Sequence, residues 1–142
     1  MKRNLRFKRY LRHSPERVWK ALTDSNALSG WYLENDFAAV VGHRFTFRPA
    51  PDMGFDGTLC GEVIRVDAPH QLVYTFSGGS MQGETLVTWT LTPDSGGTLL
   101  TLQHTGFNDL TGTALDTMMT ICPSRFLFRL AESLDTTLLV EV

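Results

Sequence analysis

Between His43 and Phe107 apolar and polar residues alternate through consecutive segments, and no stretch of helical period interrupts them. "HRFTF" puts Phe45 and Phe47 on one face, and "LVYTF" does the same for Leu72, Tyr74 and Phe76. "ETLVTWTLTP" aligns Val87, Trp89 and Leu91, and "TLLTLQHTGF" aligns Leu100, Leu102 and His104. "TLCGEVIRVD" reads as a further strand. A period of two marks a half-buried strand. The connections are short or turn-rich: "RPAPDMGFDG", "APHQ", "SGGSMQG" and "DSGG". Parallel neighbours would need crossovers of a dozen or more residues, so these four or five strands form an antiparallel meander. A doubly wound parallel sheet is excluded, because no helices alternate with the strands.

The flanks supply the partners that such a sheet needs. "NLRFKRYLR" is a first strand, with Leu5, Phe7, Arg9 and Leu11 in one phase. "SPERVWKALTD" then reads as a helix. Ser14 can cap it, Pro15 occupies the first helical position, and Glu16 places negative charge in the first turn. Val18, Ala21 and Leu22 form its apolar stripe. Asp24 and Ser25 break it and open a second short helix, "NALSGWY", with Gly30 expected as a left-handed residue near its end. In the tail, Leu115, Met118, Met119, Cys122, Phe126, Leu130 and Leu134 step by three or four, the face of a long helix. Pro123 is expected to kink or restart that helix between Ile121 and Ser124.

Composition excludes several classes of function. With 13 basic and 15 acidic residues, the formal charge of -2 gives no signal for nucleic acid. The basic opening "MKRNLRFKRYLRH" reads as the polar side of a half-exposed strand. Two distant cysteines and four scattered histidines form no zinc pattern, so no metal and no cofactor are expected. No signal peptide and no membrane span is visible, which leaves a cytoplasmic protein with reduced thiols as the expectation.

In this order the segments resemble the START-like, or helix-grip, superfamily. Within it they resemble the family named for the activator of the heat-shock protein 90 ATPase. "SPERVWKALTD" with "LSGWY", then "VGHRFTF", "GEVIRVDAPHQLVYTF", "LVTWTLTPDSGGTLLTLQHTGF" and the last amphipathic helix carry the resemblance, over nearly the whole chain. It implies an α+β fold in one domain, residues 1–142. A curved antiparallel sheet of six to seven strands would wrap a long C-terminal helix, with two short helices after the first strand. Relatives hold an elongated apolar cavity between sheet and helix and bind lipids, sterols, polyketides or other hydrophobic molecules; a few catalyse reactions on them. Many relatives carry a Gly-Trp pair near the start of the last helix. Here "DTMMTICPSRF" has none, so a different cavity mouth is expected.

The expected ligand is therefore a small hydrophobic molecule, lined by Trp31, Phe45, Phe47, Tyr74, Phe76, Trp89, Met118, Met119, Cys122 and Phe126. Trp31, following Gly30, is expected at the cavity rim. An enzyme (cyclase, dehydratase or hydrolase) is the alternative, and no nucleophile or phosphate-binding motif supports it. It would rest on His104, Arg9 and Glu62. His104 reads as an inward group that is either a base or a satisfied structural histidine. Arg9 points inward and needs an anion such as Glu62, unless a bulge near Tyr10 turns it to water. Glu62 reads first as a cross-strand partner of a basic residue. A third reading is a co-chaperone-like interaction module, and open sheet edges would also invite a homodimer.

Overall fold

The alternating segments do form one sheet. A computed structural model describes residues 5–49, 58–78, 84–106 and 127–141, with side chains of the last segment through Asp135. The strands are β1 (Leu5–Leu11), β2 (Glu34–Asn35), β3 (Arg44–Arg48), β4 (Leu59–Asp67), β5 (Gln71–Gly78), β6 (Thr85–Asp94) and β7 (Gly97–Thr105). They lie in the order β1-β7-β6-β5-β4-β3-β2, every neighbouring pair antiparallel, in a curved half-barrel. Helices α1 (Pro15–Thr23) and α2 (Ser25–Trp31) follow β1, and α3 (Leu127–Glu141) closes the chain.

Register sorts the side chains into two faces. Directly opposed residues in antiparallel strands share a face. Leu5, Phe7, Arg9 and Leu11 oppose His104, Leu102, Leu100 and Thr98, and this set continues through Val87, Trp89 and Leu91 to Tyr74 and Leu72. That inner face carries the core. The outer face is rich in hydroxyls: Thr88 and Thr90 oppose Gln103 and Thr101. One register shift in β4, between Val63 and Arg65, leaves Ile64 as an extra residue that is 45% exposed. The β6–β7 turn has positive φ at Ser95 and Gly96, 51° and 83°, as a two-residue hairpin turn requires.

The helices cover the inner face. Ser14 caps α1 by accepting a bond from the Arg17 amide at 3.3 Å, and Val18, Ala21 and Leu22 are buried. In α2 the sequence expectation for Gly30 fails, since the helix continues through it to Trp31 and Gly30 is not among the residues of positive φ. The reason is tertiary. The indole Nε1 of Trp31 donates to the Ala21 carbonyl at 2.8 Å, which holds the last turn of α2 against α1. Leu127, Leu130 and Leu134 of α3 are buried at helical spacing. Asp135 reaches His13, the turn before α1, at 2.8 Å from Nε2, and Thr98 donates to the His13 carbonyl at 2.7 Å. The earlier half of the apolar stripe, with Leu115 and Pro123, lies outside the described residues.

Gly61 is a point where side-chain space is fixed by backbone. A Cβ there would overlap the Thr75 carbonyl oxygen and lie 2.7 Å from Cζ of Phe45. Neither the carbonyl nor the packed ring can retreat. Gly61→Ala is expected to destabilise the protein by about 2 kcal/mol or more, measured by urea denaturation.

Candidate functional site

The inner face brings most of the aromatic side chains into one wall. Phe45 lies 5.1 Å from both Phe37 and Tyr74, centroid to centroid, and 5.2 Å from Phe47. Phe76 joins Tyr74 at 6.3 Å and Phe47 at 6.0 Å. Trp31 meets the edge of Trp89 at 6.4 Å. All of these rings are buried, so the wall is apolar and dry.

Four polar groups punctuate it, on Trp89, Tyr74, His104 and Thr85. Trp89 Nε1 donates to the Tyr74 hydroxyl oxygen at 3.1 Å. Burial, the larger influence, pushes the Tyr74 phenol well above its ordinary range, and the indole bond only partly offsets this. Tyr74 therefore keeps its proton. Among the described residues no acceptor takes that proton, so the phenol can donate to a ligand.

His104 is fully buried, and Thr85 lies beside it. The Thr85 hydroxyl has one proton, which it gives to the Phe76 carbonyl at 2.6 Å. The His104 Nε2–Thr85 contact at 2.7 Å must then have the ring nitrogen as donor, which fixes the tautomer with the proton on Nε2. Burial lowers the His104 pKa to about 4, so the ring is neutral at physiological pH. Through Nε2 it makes a hydrogen-bonded post on the inner face, and its low pKa makes it a poor general base.

Arg9 and Glu62 end up far from this arrangement. The β1–β7 register is unbroken, so there is no bulge at Tyr10 and Arg9 does share the inner face, opposite Leu100. It nevertheless lies exposed at the sheet edge, beside Phe7, which is 39% exposed. Among the described residues it has no carboxylate partner. Glu62 occupies the outer face of β4, where its Oε1 accepts from Arg44 Nε at 3.3 Å across the strands. Its phase sets it opposite to Val63 and Leu59, so it cannot pair with Arg9 or act inside the sheet. His104, Arg9 and Glu62 thus do not converge.

Of the residues expected to line a cavity, Trp31, Phe45, Phe47, Tyr74, Phe76 and Trp89 stand together on the buried side. Met118, Met119, Cys122 and Phe126 lie outside the described residues. The rim position expected for Trp31 is overturned: it is 1% exposed and anchored by its indole. Phe37 is the residue that sequence reasoning missed. It follows the short strand β2, its amide donates to Asn35 Oδ1 at 2.9 Å, and its ring stacks into the wall. In "LENDFAAVVG" it stands between a polar triplet and a run of small apolar residues, with no alternation to mark it as inward-facing.

Among the described residues two clefts have mixed polar and apolar lining, and Phe45 of the wall borders the first. One, of about 410 Å³, opens on the outer face among Arg44, Cys60, Glu62, Thr75, Ser77 and Glu84. The other, of about 380 Å³, lies between α1, α2 and α3, beside Arg17, Lys20 and Asp24. Among the described residues no group of three histidines, cysteines or carboxylates could hold a metal ion.

The profile of the family described as Activator of Hsp90 ATPase homolog 1-like protein matches residues 12–132. The structure of protein MLL2253 from Mesorhizobium loti is 31% identical, with a TM-score of 0.80 over 95% of this chain and 98% of that one. Protein CV1439 from Chromobacterium violaceum is 25% identical, with a TM-score of 0.73 over 91% and 94%. DynU16, from the dynemicin biosynthetic locus, is 22% identical with a TM-score of 0.77, and this chain spans 48% of its length. No curated protein matches.

The buried neutral histidine makes stability depend on pH. Its pKa falls from 6.5 in the unfolded chain to about 4 in the folded one, so the unfolded state binds more protons between those values. The stabilisation is complete above pH 6.5 and is lost as pH falls toward 4, amounting to roughly 3 kcal/mol. His104→Gln, whose amide can still donate to Thr85, should flatten this part of the profile in urea titrations at pH 7.5 and 4.5. A variant with the parent's slope would place the titrating group elsewhere.

Proposed function

The chain belongs to the activator of Hsp90 ATPase homolog 1-like family, and from that premise we propose that it binds a small hydrophobic ligand between the inner face of the sheet and the C-terminal helix. The observation that carries this reading is the Tyr74 phenol, a protonated donor whose proton no acceptor takes among the described residues, set in an apolar aromatic wall. A pocket of this kind holds its ligand by apolar contact and orients it with few polar groups. The ligand class is lipid-like, polyketide-like or aromatic, with a carbonyl or ether oxygen for Tyr74 to reach. Phe7 and Arg9, exposed at the edge of the same face, would meet its polar end.

Binding is favoured over catalysis because the buried His104 is neutral and donates its Nε2 proton to Thr85, while Arg9 and Glu62 stand elsewhere. A relative of this fold from the dynemicin biosynthetic locus supports a role near a biosynthesised compound. The exposed free thiol of Cys60 supports action in the cytoplasm. Among the described residues no helix is long and apolar enough to cross a membrane.

Anthraquinone, a flat apolar body with two carbonyl acceptors, is a suitable probe. Quenching of tryptophan fluorescence should titrate to one site per chain, and native mass spectrometry of freshly purified protein should retain a small apolar molecule. Tyr74→Phe should weaken anthraquinone about tenfold, the loss of one buried hydrogen bond, with the stoichiometry unchanged. Absence of both saturable quenching and retained cargo would sink the proposal.

A further inference from the structure

We propose that the free edge of β1 receives an extended acidic peptide as an eighth strand. β1 ends the strand order, and among the described residues only β7 pairs with it. Its seven pairs run from Leu5 opposite His104 to Leu11 opposite Thr98 without a register shift. The Tyr10 hydroxyl lies 3.1 Å from the Asp94 carbonyl and 3.3 Å from that of Ser95, which pins the strand to the β6–β7 turn. The edge is thus regular and preorganised, with a row of backbone amides and carbonyls turned away from β7. It has neither the bulge nor the proline that commonly blunt such edges.

Charge is the one guard this edge carries, and it has a single sign. Arg6, Lys8, Arg9 and Arg12 are all exposed, and among the described residues none has a carboxylate partner. Six of the 13 basic residues precede His13 and no acid precedes Glu16, which leaves seven cations against 15 acids in the rest of the chain. A second copy does not fit, because antiparallel pairing of two β1 strands would set cations against cations. An acidic strand does fit. Its side chains facing Arg6 and Lys8 on the outer face would be carboxylates. Those beside the half-buried Leu5 and the exposed Phe7 on the inner face would be apolar. The partner is therefore a segment that alternates acidic and β-branched residues, held by main-chain bonds and read by charge.

The test is hydrogen exchange on the full chain with a blocked octapeptide of alternating glutamate and valine. Alternate β1 amides should slow about tenfold at saturating peptide, and binding should weaken as salt is raised. The lysine–valine octapeptide should leave β1 exchange unchanged. Arg6→Glu with Lys8→Glu should weaken the acidic peptide at least tenfold while anthraquinone quenching persists. Arg6→Gln with Lys8→Gln gives the same reading with a smaller loss if the reversed pair folds poorly. Unchanged β1 exchange would overturn the proposal. So would binding of phosphatidylglycerol vesicles or a single-stranded oligonucleotide equal to that of the peptide without β1 protection, which would mean adhesion by charge alone. Concentration-dependent self-association that protects β1 would assign the edge to a second copy instead.

Discussion

The inner-facing side chains of β5, β6, β7 and β1 owe their places to the unbroken pairing of these four strands. A shift of one residue anywhere in that ladder would turn the whole set of one strand to water. Because the register holds, Tyr74, Val87, His104 and Leu5 stand in one row, and Leu72, Trp89, Leu102 and Phe7 in the next. The Trp89–Tyr74 hydrogen bond is diagonal between these rows, so it exists only in this register. The hairpin turn at Ser95 and Gly96 and the close approach at Gly61 are local devices that keep the ladder in step.

Burial then decides the chemistry of the wall. Desolvation moves the two titratable groups in opposite directions, the Tyr74 phenol up and the His104 imidazole down, and both end uncharged. The result is an inner face that offers hydrogen bonds without ionic charge until its edge at Arg9. Such a face orients a ligand and gives it little to react with. The charged pairs Arg44–Glu62 and Arg48–Glu34 are both outside, on exposed side chains, where they contribute little.

The sheet could be read in the sequence because period two survives any error of a residue or two at strand ends, and Phe45, Phe47, Tyr74, Phe76 and Trp89 followed from it. Period alone does not say how far a strand lies from the sheet's centre. For Arg9 the sequence offered the inner face or exposure to water through a bulge; the strand is unbroken and the exposure comes from edge position, which depends on pairing between distant segments. Trp31 and Gly30 failed for a related reason: the helix was continued by a bond to Ala21 that no local pattern encodes. Phe37 entered the wall from a nearly structureless segment, held by the Asn35 side chain, and left no periodic trace.

The contact between His13 and Asp135 joins positions separated by 122 residues. A ribosome delivers β1 and α1 first and α3 last, so the nascent chain can complete its sheet while the inner face still lacks this cover. The tie between His13 and Asp135 must form late, after the 122 residues that separate them have been made. Covering the inner face with α3 is therefore a separate event from closing the sheet, and it rests on a contact of longer range than any strand pairing.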